Sequence, residues 1–229
     1  MSFNRGLAQS MFGVGTEKEL RDKLYGRWSD LTPAENGCIL RRLSEFDEPK
    51  YCEIGVYFGG NFFNVSEFLK SSKENYYMYG IDLFENLITE TQESQTHDLF
   101  NKWNMLNTSV HGELTEALRN FGSEKFSLLK GYSHRIAAHL PEKCDVFFID
   151  GNHTYEQTML DALACSKRAS GGSYLIFHNA SDNIKPDPEY VEEDGGPHRV
   201  VEDLCKDDKF EFVERIERCA VVRVRDEQH

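Results

Sequence analysis

The chain has 229 residues, 39% of them apolar and 28% charged, with a formal net charge of −13. That length suits one α/β domain with a well-buried core, and the composition is that of a globular chain, not a disordered one. The negative surface repels phosphate backbones and anionic membranes, so neither nucleic acid nor membrane is expected as a partner. No apolar run reaches the ~18 residues of a membrane-spanning helix, and residues 1–15 hold one Arg and no sustained apolar stretch, so no secretory signal is expected. The six cysteines, at 38, 52, 144, 165, 205 and 219, show no C-x-x-C spacing. They read as reduced, mostly buried thiols of a cytoplasmic protein, not as a zinc site.

Strands and helices alternate along the chain. Thr16 and Glu19 form a capping box opening a helix to about Trp28. Thr32-Pro33-Ala34-Glu35 repeats the signal with Pro at the first helical position, and Ile39, Leu40, Leu43 and Phe46 follow at helical spacing. The first strand is expected at about Tyr51 to Val56, then a helix with Phe62, Val65, Phe68 and Leu69 on one face, then a second strand from Tyr76 to Ile81. Glu85 to Leu106 is long, polar and partly helical, and reads as a lid. A short helix, Glu113 to Phe121, precedes the third strand, Phe126 to Lys130. The fourth strand, Asp145 to Ile149, leads into a helix from Tyr155 to Arg168 and, past Gly171-Gly172, the fifth strand, Ser173 to Phe177. An acidic loop, Ser181 to His198, is followed by a helix near Arg199 to Cys205 and strands at Phe210 to Arg215 and Cys219 to Arg225.

Continuous apolar strands separated by helices predict an α/β, doubly wound, mostly parallel sheet covered on both faces. The last two strands are too close for a crossover, so they are expected as an antiparallel hairpin. Residues 1–48 read as an N-terminal helical cap and 49–229 as the domain proper.

In open α/β sheets ligands bind beyond the carboxyl ends of the strands, so the residues just after each strand carry the argument. After strand one, Glu53-Ile54-Gly55-Val56-Tyr57-Phe58-Gly59 has the spacing E-x-G-x-x-x-G, not the G-x-G-x-x-G of a dinucleotide site. An acid ahead of the glycines suits a cationic ligand better than a pyrophosphate; a plain tight turn is the competing reading. After strand two, Asp82 is placed to accept both ribose hydroxyls of a nucleoside, or else to cap a helix. After strand three, Tyr132 and Ser133 border an adenine site or start a helix. After strand four, Asp150-Gly151-Asn152-His153-Thr154-Tyr155 clusters polar and titratable groups. After strand five come His178 and Asn179, which converge with Asp150 if strands four and five are neighbours. Carboxylate, imidazole and amide together can hold a divalent metal. A hydrogen-bonded core histidine is the alternative for His178, and a structural donor to the next helix the alternative for His153.

These motifs resemble a known family. The region from Tyr51 to Arg225 is similar to class I, S-adenosylmethionine-dependent methyltransferases. Phe147-Phe148-Ile149-Asp150-Gly151-Asn152-His153-Thr154-Tyr155-Glu156, followed by Gly171-Gly172-Ser173-Tyr174-Leu175-Ile176-Phe177-His178-Asn179, resembles one branch of it. That branch holds small-molecule O-methyltransferases acting on sugars of natural products, together with the related cephalosporin hydroxylase family; catechol-type O-methyltransferases are more distant. The resemblance implies a seven-stranded, Rossmann-like sheet with a reversed last strand. It implies that Glu53, Gly55 and Gly59 shape the methionine and ribose pocket of S-adenosylmethionine and that Asp82 binds the ribose. Tyr57, Asn61, Leu83, Tyr132, Ser133 and Asp150 complete the expected cofactor set. It also implies magnesium at the positions of Asp150, His178 and Asn179. The chain departs from that pattern at His178, where an acid is usual, and imidazole favours iron, zinc, nickel or copper over magnesium.

The expected chemistry is methyl transfer to a polar small-molecule acceptor, most simply a hydroxyl, with Asp150, His153 and His178 as catalytic residues. An imidazole takes the acceptor's proton and Asp150 orients it or binds a metal. Three other readings stay open: a nucleoside-binding protein without catalysis, a nicotinamide-dependent oxidoreductase on a similar sheet, against which the missing G-x-G-x-x-G argues, and a different reaction of bound S-adenosylmethionine on the same fold. Self-association is left open as well.

Overall fold

The computed structural model describes residues 29, 31–84, 110–181 and 196–226. The helix expected from Thr16, the segment 85–106 and most of the acidic loop after Ser181 lie outside the described residues.

Six helices and seven strands are described. They are α1 (Pro33–Ser44), β1 (Lys50–Ile54), α2 (Gly60–Ser72), β2 (Tyr77–Asp82), α3 (Val110–Asn120), β3 (Phe126–Lys130), α4 (Ser133–Ala137), β4 (Cys144–Ile149), α5 (Tyr155–Ser166), β5 (Ala169–Phe177), α6 (Gly196–Leu204), β6 (Phe210–Ile216) and β7 (Cys219–Val224). The seven strands make one sheet in the order β3-β2-β1-β4-β5-β7-β6. The pairs from β3 through β5 are parallel, and β7 runs antiparallel to both β5 and β6. This is the doubly wound sheet that the alternation predicts, with the reversed last strand that the resemblance implies.

Alternate residues along each strand go to opposite faces. Val146 and Phe148 of β4 pack with Tyr51, Met78 and Ile176 under α1, α2 and α3. Phe147 and Ile149 pack with Cys52, Ile81 and Leu175 under α4, α5 and α6. Ile39 and Leu43 of α1 are fully buried in the first of these cores, and each burial contributes about 1.5–3 kcal/mol. None of the six cysteines is paired with another, and all but Cys205 are buried.

Local signals explain the element ends. Thr32 accepts from the Glu35 amide while the Glu35 carboxylate accepts from the Thr32 amide at 2.9 Å, the reciprocal box expected from sequence. The same Glu35, wholly buried, also takes Arg218 at 2.9 Å through both Nε and Nη2 and so ties α1 to the turn between β6 and β7. The fifth strand begins four residues before the expected Ser173, at Ala169, with an irregularity in its pairing to β4 between Cys144 and Val146. The acidic loop ends earlier than expected, because α6 already starts at Gly196-Pro197. Among the described residues no helix is long and apolar enough to cross a membrane.

Candidate active site

Strand register assembles the site. Ile81, Ile54, Ile149 and Phe177 stand side by side as one row across β2, β1, β4 and β5. The residues just past that row are therefore neighbours: Asp82, Gly55, Asp150 and His178. Backbone bonds extend the ladder there, from Gly55 N to Ile81 O and from Asp150 N to Ile54 O at 2.9 Å, and from His178 N to Ile149 O at 3.1 Å. Gly55 has φ +82°, and a Cβ on it would lie 1.9 Å from the Asp150 carbonyl oxygen. Only glycine lets the β1 loop cross β4 this closely.

The loop after β1 is braced from β2. The Asp82 carboxylate accepts from the backbone amides of Tyr57 and Phe84, each at 2.8 Å. Both of those residues have positive φ, 55° and 48°, which is uncommon away from glycine. Burial raises the Asp82 carboxyl above its usual value against the backbone amides of Phe84, Tyr57, Val56 and Leu83. Leu83 follows it, half-buried. Gly59, φ +81°, caps α2, and Asn61 lies in that helix's first turn.

Glu53 is 1% exposed, and its carboxylate accepts from Tyr51 Oη at 2.7 Å and Asn61 Nδ2 at 2.8 Å. Asn61 in turn accepts from Asn36 of α1 at 3.1 Å. Burial, aided by the negative charges of Asp150 and Asp82, pushes the Glu53 carboxyl up to about 8 in spite of those hydrogen bonds. Near neutral pH it is mostly protonated, and a cationic ligand would draw the proton off.

Past β3, Tyr132 is exposed and Ser133 starts α4. The Ser133 hydroxyl donates to Asp161 Oδ1 of α5 at 2.5 Å, and Gln157 donates to the same oxygen at 3.0 Å. Ser133 thus holds α4 against α5.

Past β4 and β5 the expected cluster comes together. Asp150 Oδ1 accepts from His178 Nδ1 at 2.8 Å and from His153 Nε2 at 3.1 Å. Burial alone would raise the Asp150 carboxyl, but the electrostatic pull of His178 and hydrogen bonds from both imidazoles hold it well below the usual carboxylate range. The two histidines differ in access. The His178 side chain is 1% exposed, and its Nε2 points into the protein, 3.9 Å from Glu35 Oε2. The His153 side chain is 19% exposed. Asn179, held at φ 51°, donates its amide to His153 Nδ1 at 3.3 Å.

The magnesium implied at Asp150, His178 and Asn179 does not fit this donor set. Magnesium takes oxygen ligands in near-ideal octahedral geometry, whereas His178 presents a ring nitrogen.

Residues 52–180 match the family described as a methyltransferase domain, which is more than half of the chain. The chain belongs to this family, within the class I S-adenosylmethionine-dependent methyltransferases. The chain is 25% identical over 170 residues to the uncharacterized protein R132 of Acanthamoeba polyphaga mimivirus; the match covers 72% of this chain and 66% of that protein, just under two thirds. Its fold is shared with the O-methyltransferase NovP, at TM-score 0.56 and 17% identity over 84% of this chain and 78% of that one. It is shared as well with an rRNA methylase from Streptococcus thermophilus, at TM-score 0.53 and 13% identity over 87% and 100%. At these identities the likeness shows the fold alone.

Several residues that build the candidate site carry no motif. Tyr51 and Asn36 hold Glu53 and Asn61, and Glu35 backs His178. The signal available for Glu35 was its place in a capping box, which accounts for one of the four donors on its carboxylate.

Proposed function

We propose that the methyltransferase moves the methyl group of S-adenosylmethionine to a hydroxyl of a polar, sugar-like small molecule, with His153 as the base. The observation that carries this reading is the Asp150 carboxylate, one residue beyond β4 and next to the Glu53 and Asp82 loops, which orients the accessible imidazole of His153. Asp82 accepts the ribose hydroxyls, and Glu53, on losing its proton, complements the cationic methionine end of the cofactor. The reaction is an in-line displacement in which the acceptor O–C bond forms as the C–S bond breaks. The enzyme's work is to align the two partners and exclude water. The acceptor's proton passes to His153 Nδ1, the nitrogen now facing Asn179, while the Nε2–H remains on Asp150. His178 is too deeply buried to meet an acceptor and instead fixes the other side of Asp150.

The net charge of −13 favours a small molecule over an RNA acceptor. Six unpaired thiols support a reducing, cytoplasmic setting. The test is the pair His153→Ala and Asp150→Ala. Each should lower turnover by ~10²–10⁴-fold while S-adenosylmethionine affinity, read by calorimetry, stays within a few-fold of wild type for His153→Ala. Turnover unchanged in His153→Ala refutes the base.

A further inference from the structure

We infer that Asp150, His153 and His178 form a binding site for one late first-row transition ion, of which zinc and cobalt serve as probes, and that the bound ion silences the enzyme by occupying its base. Binding follows from the cluster's geometry alone; the silencing rests on the methyl-transfer reading.

The three residues each offer one ligand atom, and these atoms lie within 4.8 Å of one another. Two of the separations, 2.8 Å from Asp150 Oδ1 to His178 Nδ1 and 3.1 Å to His153 Nε2, now belong to hydrogen bonds. Bonds of ~2.0–2.2 Å to nitrogen and oxygen put adjacent ligand atoms about 2.8–3.1 Å apart at right angles and about 3.3–3.6 Å apart at tetrahedral ones. Two edges of a coordination polyhedron therefore already have roughly the right length. Only the edge between the two rings must shorten. One ion would replace the two ring protons that converge on a single carboxylate oxygen. Two imidazoles and one carboxylate form a donor set for zinc, iron, nickel or copper, not for magnesium.

The far side of each ring supports the same reading. A metal-ligating histidine usually donates its other N–H to a carboxylate or carbonyl. His178 Nε2 is buried without a hydrogen-bond partner among the described residues, and the carboxylate of Glu35 stands 3.9 Å away. An ion on Nδ1 would place the ring proton on Nε2, facing Glu35, which Arg218 and the Thr32 amide hold in place. For His153, an ion on Nε2 would move the ring proton to Nδ1, where Asn179 offers its carbonyl oxygen once the amide turns over. Asn179 is then an orienting group and not a ligand. Asp150 and His153 side chains are 20% and 19% exposed, so an ion can enter from solvent. With both of its nitrogens engaged, His153 can no longer take the acceptor's proton.

The test uses the untagged full chain, stripped with chelator and titrated with cobalt(II) while its visible spectrum is read. One equivalent of cobalt should bind with the d–d bands of nitrogen and oxygen ligands. Zinc should displace it and millimolar magnesium should not. His153→Gln and His178→Gln should each weaken zinc by more than 100-fold, and Glu35→Gln by about 10–100-fold. His153 is partly exposed, so its variant keeps the test decisive if the buried His178 variant misfolds. Saturating zinc should suppress methylation, and chelator should restore it. Absence of binding, sulfur-to-cobalt charge-transfer bands, or zinc affinity unchanged in His153→Gln overturns the site. Zinc that binds without lowering turnover overturns the silencing. S-Adenosylmethionine affinity of the stripped chain is measured in parallel, and a failure there counts against the methyl-transfer reading while the cobalt spectrum still decides the ion site.

Discussion

Glu53→Gln isolates the buried carboxyl that precedes the loop after β1. Burial pushes this group from its ordinary value of 4.5 to about 8, with the charges of Asp150 and Asp82 acting in the same direction. A folded-state value above the unfolded one means that the native chain binds more protons than the unfolded chain between these limits. Stability is thus fully present below about pH 4.5 and is lost as the pH rises through about 8. At ~1.4 kcal/mol per pH unit the gap sets a ceiling of about 5 kcal/mol, and the effective dielectric of real protein sites brings this to roughly 2–3 kcal/mol. Glutamine keeps the shape and an acceptor for Tyr51 and Asn61 but cannot ionise. Urea denaturation of the ligand-free chain at about pH 5.5, 7 and 8.5 reads the effect. Wild type should lose roughly 2–3 kcal/mol more than Glu53→Gln across that range, since the other titrating groups cancel in the difference. Parallel stability curves for the two proteins would refute the reasoning.

Two further predictions concern the same loops. Asp82→Ala removes the acceptor offered to the ribose and should weaken S-adenosylmethionine by about 1–3 kcal/mol in calorimetry; unchanged affinity contradicts the ribose assignment. Gly55→Ala sets a Cβ 1.9 Å from the Asp150 carbonyl oxygen at a φ of +82°. It should cost more than ~1 kcal/mol in thermal or urea unfolding, and wild-type stability would show that the loop crossing is looser than described.

The sheet was legible because its strands are apolar runs at a regular spacing and because the short gap between Arg215 and Cys219 admits only a hairpin between the last two strands. The order of motifs was legible because each lies directly after a strand, where register alone makes Asp82, Gly55, Asp150 and His178 neighbours. What escaped were partners distant in sequence. Ser133 can be read as a cap or a ligand group, but nothing in its neighbourhood shows that it binds Asp161 in the next helix but one strand. Glu35 satisfies a local rule at the start of α1 and then reaches Arg218, 183 residues away. Periodicity and capping signals describe one element at a time, and these contacts belong to pairs of elements. The early start of β5 is a similar case: Gly171-Gly172 punctuates the sequence, yet the backbone continues in the sheet through an irregular pairing.

The central claim is methyl transfer to a small hydroxyl compound at the Asp150 and His153 site. The most direct measurement supplies the pure chain with deuteromethyl-labelled S-adenosylmethionine and an extract divided into small-molecule, RNA and protein fractions, and locates the label by mass spectrometry. The account predicts label on oxygen in the small-molecule fraction, with stoichiometric demethylated cofactor, and loss of both in His153→Ala. Label in the RNA or protein fraction, or transfer that His153→Ala leaves intact, would contradict it.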